Sequence, residues 1–231
     1  MTAATRRFLV ALLVVVFATS WTAPASADVP PLSAAARSAG FVDVRSVVPS
    51  AVIDLRYATA NNFTGTPLYP PDARCLVHES MAPGLAAAEK ALVSHGEVLV
   101  FWDCYRPHDV QVKMFNVVPN PAWVAKPGSS ARSHEAGRSV DVTIASAQQP
   151  CPTARQLAGR CLADMGTDFD DFSPRALAFA TDGVSADQQA NRARLRDAMS
   201  AGGLSVYSGE WWHFDGPGAG VGRPILDVPV D

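Results

Sequence analysis

The 231-residue sequence is short of several features, and each shortage excludes a class of protein. Basic residues are not in excess: 19 Lys and Arg face 22 Asp and Glu, a formal net charge of −3, so no nucleic-acid partner is expected. There is no internal repeat and no block of like charge, which removes solenoids and charged tails. Past one apolar stretch near the start, no run of 18 apolar residues occurs, so no stable membrane anchor is expected in the rest. Cysteine is scarce, with four residues and no C-x-x-C pair. What the chain does have is apolar surface. At 48% hydrophobic it can fill one packed core, and its length suits a single domain.

Residues 1–27 read as an export signal. Arg6 and Arg7 supply a short positive region, residues 8–18 are uninterruptedly apolar, and Ala25 and Ala27 form an A-x-A cleavage pattern. Eleven apolar residues are too few to span a bilayer, which takes about 20. No Cys follows the run, so a lipid anchor is not supported. Cleavage near Ala27 would leave 204 residues in the secreted, periplasmic or cell-wall space. The net charge would move from −3 to −5, because the segment holds two arginines and no acid. The four cysteines, Cys75, Cys104, Cys151 and Cys161, all lie beyond it. Export favours disulfides over a catalytic thiol or a thiolate metal site. Three pairings are possible; Cys151–Cys161, which closes a Pro-containing loop, is favoured, leaving Cys75–Cys104.

Residues 28–40 are rich in Pro, Ala and Ser and read as a flexible leader to one catalytic domain at 41–231. The β-branched, alternating stretch 41–58 predicts one or two strands, and 60–74 is crowded with turn formers. Apolar spacing at 85, 88 and 92 predicts a helix over 80–96 that stops at Gly96. Residues 97–105 read as a buried strand, 107–118 as a short helix opened by Pro107, and 138–144 as another strand. A helix over 185–203, capped by Ser185, precedes a last strand region at 204–214. Strands and helices do not alternate, so the fold class is α+β, a central antiparallel or mixed sheet flanked by helices.

The five histidines carry most of the chemistry. His95 sits beside the Gly stop of a helix, His78 in a loop and His108 on a first helical turn, all ordinary places for a solvated or satisfied imidazole. His134 and His213 stand apart. Asp141 follows His134 by seven residues, with Gly137 between them to let the chain turn, and Glu210 precedes His213 by three. Two imidazoles and one carboxylate suit Zn²⁺ with one open position, and a free carboxylate nearby suits a general base.

Either spacing alone is common. Six ordered blocks are not: D-L-R-Y-A-T-x-N-N-F-T-G at 54–65, W-D-C-Y-R-P at 102–107, H-x-x-G-x-x-x-D at 134–141, M-G-T-x-F-D at 165–170, N-R-x-x-L-R at 191–196 and E-W-W-H at 210–213. Together they resemble the D-alanyl-D-alanine dipeptidases of the VanX type, a branch of the zinc DD-peptidases (peptidase family M15) acting on peptidoglycan peptides. The resemblance spans about 42–229. It implies the Hedgehog-like zinc fold of that family and one Zn²⁺ per chain, held by His134, Asp141 and His213. Glu210 would take a proton from the attacking water and pass it to the leaving amine, and Arg106 would stabilise the oxyanion. Asp170 would face the substrate ammonium and Tyr57 would help seat the substrate. Asp103 joins this set as a carboxylate that either orients Arg106 or merely ends a strand.

Two departures from the family stand out. Arg132 replaces a Ser that helps bind the substrate carboxylate, with Ser133 and Ser130 close by; Arg132 either binds that carboxylate or points to solvent. The segment from Arg106 to His134 is also shorter than in the cytoplasmic dipeptidases, which opens the site to longer peptides. The expected activity is therefore an exported zinc dipeptidase acting on D-Ala-D-Ala. The alternatives are a zinc DD- or LD-carboxypeptidase trimming longer wall peptides, and a non-catalytic wall-peptide binding protein. Binding alone would need neither Glu210 nor Arg106.

Overall fold

The computed structural model describes residues 29–230, and the expected export signal at 1–27 lies outside the described residues. No helix among the described residues is long and apolar enough to cross a membrane. The expected loose leader is partly built. Ser33 caps a short helix, α1 (Ala34–Ser38), by accepting from the Ala36 amide, and Ala36 is buried.

Two long strands hold the centre. β4 (Glu97–Asp103) and β5 (Ser139–Ser146) pair antiparallel, and all their residues are buried except Glu97 and Ser146 at the ends. That is what near-continuous apolar runs such as VLVFW predict for strands covered on both faces. β2 (Val52–Ile53) adds to the outer edge of β4 in parallel. The other edge of β5 is shared, with β9 (His213–Asp215) pairing residues 139–141 and β7 (Arg160–Leu162) pairing 145–146. β6 (Gln156–Leu157) and β8 (Ser205–Val206) extend β7 and β9. The sheet is thus mixed, as expected, with a single parallel pair.

The helices fall close to their sequence positions. α2 (Ala82–Val93) buries Leu85, Ala88 and Leu92 against β4 and α4 (Ala186–Ala201), and α3 (His108–Val117) follows Pro107. Ser185 and Gln188 close a reciprocal capping box at the start of α4. The predicted strand region 41–58 resolves into β1 (Phe41–Asp43) and β2. β1 leaves the main sheet and pairs with β3 (Leu76–His78) in a two-stranded ribbon. The last strand region splits into β8 and β9, because the turn formers Ser208 and Gly209 interrupt it and Glu210 N donates back to Tyr207 O.

Two disulfides close, Cys75–Cys104 and Cys151–Cys161, with Cα separations of 5.2 and 5.5 Å. The first joins the ribbon to the end of β4; the second ties the start of the 151–162 segment to β7.

Candidate metal centre and substrate cavity

Sheet register builds this site. Asp103 on β4 lies opposite Asp141 on β5, and Asp141 lies opposite His213 on β9, so one transverse row of the sheet carries three of the expected residues. His134 arrives from outside the sheet, on a single 3-10 turn (Ser133–Ala136) that runs into β5. Gly137 ends that turn in the left-handed region, φ 63°, and a Cβ there would lie 2.4 Å from Phe41 Cε1. Only glycine satisfies both the backbone and the packing at this point.

Three donor atoms converge. His134 Nε2 is 3.0 Å from His213 Nδ1 and 3.2 Å from Asp141 Oδ1, and His213 Nδ1 is 3.1 Å from Asp141 Oδ1. A tetrahedral ion with bonds of about 2.0–2.1 Å sets donor–donor edges of about 3.3 Å, so the triangle is close to one face of such a shell. The far nitrogen of each ring is tied off. His134 Nδ1 donates to Cys104 O at 2.8 Å, and His213 Nε2 donates to Asp215 Oδ1 at 3.0 Å. Both rings therefore turn a lone pair inward, as metal-ligating histidines do. Two lone pairs and a carboxylate oxygen at this spacing repel one another unless positive charge sits among them.

Without an ion, the carboxylates around the triangle draw a proton there instead. Burial opposes charge on His213, yet hydrogen bonds to Asp141 and Asp215 outweigh it and push its pKa up to about 10. Burial likewise opposes charge on Asp141, but the charge and hydrogen bonds of His134 and His213 hold it well below the usual carboxylate range. Among the described residues, His134, Asp141 and His213 form the one cluster of His, Cys, Asp or Glu with metal-holding spacing. The donor set fits Zn²⁺, whose ligands are characteristically nitrogen, sulfur and carboxylate oxygen.

Glu210 and Arg106 flank the triangle. Glu210 Oε2 lies 3.8 Å from His213 Nδ1 without joining the three donors. Burial and the Asp141 charge raise the Glu210 pKa, and His213 opposes them. Arg106 Nη2 approaches Asp141 Oδ2 at 3.7 Å from the other side. Its guanidinium is held by Asp103, with Nε and Nη2 at 2.9 and 2.7 Å from Oδ2, and by Gln111 Oε1 at 2.7 Å from Nη1. Asp103 in turn accepts from Tyr69 Oη at 2.6 Å and is fully buried. Of the two expectations for Asp103, orientation of Arg106 is the one observed. As a substrate contact Asp103 is corrected: it lies behind the cavity wall with both oxygens already engaged.

A cavity of about 580 Å³ opens over these groups, within the range of small-ligand sites. Its wall includes Asp170, Tyr57, Arg132 and Ser133 besides the donors, Glu210 and Arg106. Asp170 adopts a left-handed backbone, φ 56°, and accepts from Tyr57 Oη at 2.8 Å. Burial, then the Asp141 charge, raises its carboxyl well above the ordinary range, the condition in which a cationic partner has the largest effect. Arg132 is exposed, lines the cavity and makes no hydrogen bond or ion pair among the described residues. Ser133 lines the same wall and also takes part in the network around His213. Its hydroxyl donates to Ser139 Oγ at 2.9 Å, and Ser139 donates to Asp215, so Ser133 ends the network behind His213. The 106–134 segment, expected to leave the site more open, walls the cavity through residues 121–126 and 128–130.

Sequence reasoning missed Asp215, Gln111 and Tyr69. Asp215 was within reach, since His213 and Asp215 are two apart on one strand and share a face. The other histidines stay outside the triangle. His95 is exposed, His78 binds Ser80 and Arg138, and His108 pairs with Glu135 at the cavity edge.

Comparison with known proteins places the chain. The family model Peptidase M15, described as D-ala-D-ala dipeptidase, matches residues 37–231. A protein of Escherichia coli (strain K12) named D-alanyl-D-alanine dipeptidase is 34% identical over 186 residues, covering 80% of this chain and 89% of that protein. Proteins of the same name from Enterococcus faecium and Streptomyces coelicolor are 29% and 28% identical, each aligned over 90% of its own length and over 76% and 75% of this chain.

Proposed function

The chain belongs to the D-Ala-D-Ala dipeptidase family of the M15 peptidases, a family of hydrolases, and from that premise we propose that it is an exported zinc dipeptidase cleaving D-Ala-D-Ala. The observation that carries the reading is the convergence, in one cavity, of the donor triangle with Glu210 on one flank and Arg106 on the other. His134, Asp141 and His213 would hold the ion. When bound, zinc supplies a Lewis acid and brings a water to a pKa of about 7 as the nucleophile.

The protein's own groups do the rest. Glu210 accepts the proton of the attacking water and returns it to the departing amine, a role typical of a carboxylate whose pKa burial has raised. Arg106, fixed by Asp103 and Gln111 before substrate arrives, faces the developing oxyanion; one such donor typically contributes about 3 kcal/mol. Asp170 pairs with the free substrate ammonium, so the enzyme selects a dipeptide over the interior of a chain. Arg132, unpaired at the rim, takes the substrate carboxylate.

Export is supported by the pattern at 1–27 and by two disulfides, which persist in oxidising compartments. The exported form is expected to begin at Asp28, which N-terminal sequencing of secreted protein checks.

The deciding assay measures D-alanine release by the purified protein from D-Ala-D-Ala, from its N-acetylated form and from a murein pentapeptide. Each runs with zinc and with a chelator. Zinc-dependent release from the free dipeptide alone is expected. Release from the pentapeptide would replace the dipeptidase reading with a carboxypeptidase, and inertness of zinc-loaded protein toward all three would end both.

A further inference from the structure

One block of the resemblance, N-R-x-x-L-R at 191–196, has no part in the chemistry above, and it lies on α4, away from the cavity wall. Its polar residues reach one target. Asn191 Nδ2 donates to Asp164 O at 2.7 Å, and Arg192 Nε donates to Met165 O at 2.7 Å. Arg192 Nη1 donates to Leu177 O at 3.1 Å, and Arg196 Nη1 to Ala178 O at 3.1 Å. These four carbonyls are the two ends of the 164–178 loop, the loop that carries Asp170 at its middle.

The fit is close. Gly166, in the M-G-T-x-F-D block, sits at φ 87°, and a Cβ there would lie 2.8 Å from Gln188 Oε1 and 3.5 Å from Arg192 Nη2. The glycine thus makes room for Gln188 in the first turn of α4, and Arg192 of the 191–196 block lies in ordinary contact beside it. Arg192 is 1% exposed and has no acidic partner within ion-pair distance among the described residues. Burial, followed by the charges of Arg196 and Arg175, lowers its pKa to about 10. A buried guanidinium without a carboxylate is costly, so its hydrogen bonds to main-chain oxygens are its main compensation. Because the contacts are to carbonyls, they fix where the loop's backbone runs rather than which side chains it carries.

We infer that the Asn191–Arg192–Arg196 face of α4 is a clamp that positions Asp170, and through it sets the affinity for the substrate ammonium. The inference rests on the reading of Asp170 as the ammonium acceptor. These are positioning residues, since none of the three touches the cavity. Between its clamped ends the loop has one 3-10 turn (Pro174–Ala176), and its mid-point is seated by Tyr57 Oη on Asp170, by Phe169 packed on Tyr57, Trp102 and Trp212, and by the tie of Trp211 Nε1 to Thr167 Oγ1 at 2.7 Å; the clamp sets where the two strands of chain leading to that seat begin.

The test combines kinetics on D-Ala-D-Ala with hydrogen exchange of the full chain. Asn191→Ala with Arg196→Ala removes the partly exposed half of the clamp and spares the buried arginine; Arg192→Lys is the conservative companion. The double variant is expected to raise KM about tenfold with kcat within about twofold, because binding is lost and chemistry is not. Amide exchange should rise across 164–178 and not in β4 or β5. In an Asp170→Asn background the double variant should add nothing further to KM, the non-additivity of residues acting through one group. Arg192→Lys, retaining one donor, should fall between. An unchanged KM, an unchanged exchange rate at 164–178, or additive effects with Asp170→Asn would overturn the clamp. If Asp170→Asn itself leaves KM unchanged, the ammonium reading fails and takes the inference with it. If Asp170→Asn raises KM while the clamp variants do not, the clamp alone is overturned.

Discussion

Glu210 and His213 are three residues apart, yet only one of them belongs to the donor triangle, and that separation of duties is directly testable. Glu210→Gln should retain one zinc per chain and lose about 10²–10⁴ in kcat, which elemental analysis alongside turnover would measure. Loss of zinc would make Glu210 a ligand. Asp215→Asn makes the opposite test. It should weaken zinc binding about 10–100-fold in chelator competition, because Asp215 orients the His213 ring and keeps its proton on Nε2. At this scale the sequence was most informative where chemistry imposes unusual residue types close together. His134, Asp141, Glu210 and His213 were all legible. Asp103 was legible as a residue and open as a role, because only the structure shows Tyr69 and Arg106 occupying its two oxygens. Gln111 and Tyr69 carry no sequence signal of their own; Gln111 matters through Arg106 five residues before it, and Tyr69 through Asp103, distant in the chain.

At the scale of elements, legibility follows length. α2, α4, β4 and β5 each run long enough to show a period or a continuous apolar face, and each was readable to within a few residues. β3, β6, β7 and α1 are two to five residues long, too short for any period to register. The ribbon of β1 and β3 instead depends on one buried acid. Asp43 accepts from the Arg45 amide and guanidinium and from Arg74 Nε at 2.8 Å. Burial works to raise its pKa, but these hydrogen bonds outweigh burial and leave it below the ordinary carboxylate value. A carboxyl with a depressed folded pKa stabilises fully above the unfolded value of about 3.9 and loses that contribution as pH falls through the folded value. Asp43→Asn should therefore cost about 3 kcal/mol near neutral pH by urea titration and flatten the loss of stability below pH 4. An unchanged acid limb would mean that other carboxylates set it.

For the whole molecule, the two disulfides make different predictions. In the chain-entropy picture, closing loops of sequence separation 10 and 29 contributes about 2.7 and about 3.6 kcal/mol. Removing Cys151 and Cys161 together should lower Tm by roughly 5–10 °C with zinc affinity intact. Removing Cys75 and Cys104 should lower Tm at least as much and weaken zinc as well, because the carbonyl of Cys104 holds the His134 ring. Calorimetry with and without chelator separates the two. Equal zinc affinity in both variants would show that the Cys104 backbone keeps its place without the bridge.

The row formed by Asp103, Asp141 and His213 runs across the strands, not along any one of them. A site laid crosswise is indifferent to how much chain intervenes between its members, since a loop may lengthen or shrink while the rungs stay aligned. A change of length between Arg106 and His134 would therefore leave the Asp103–Asp141–His213 row in place, while His134 depends on the turn that carries it. The same layout makes the strands unforgiving. One residue inserted into β5 would turn Asp141 to the opposite face and dismantle the centre, while changes confined to 121–130, which walls the cavity and carries no donor, would alter only what the cavity admits. Reactivity and selectivity thus rest on separate parts of the chain, and the 121–130 wall can be redrawn for a new peptide without rebuilding the chemistry beneath it.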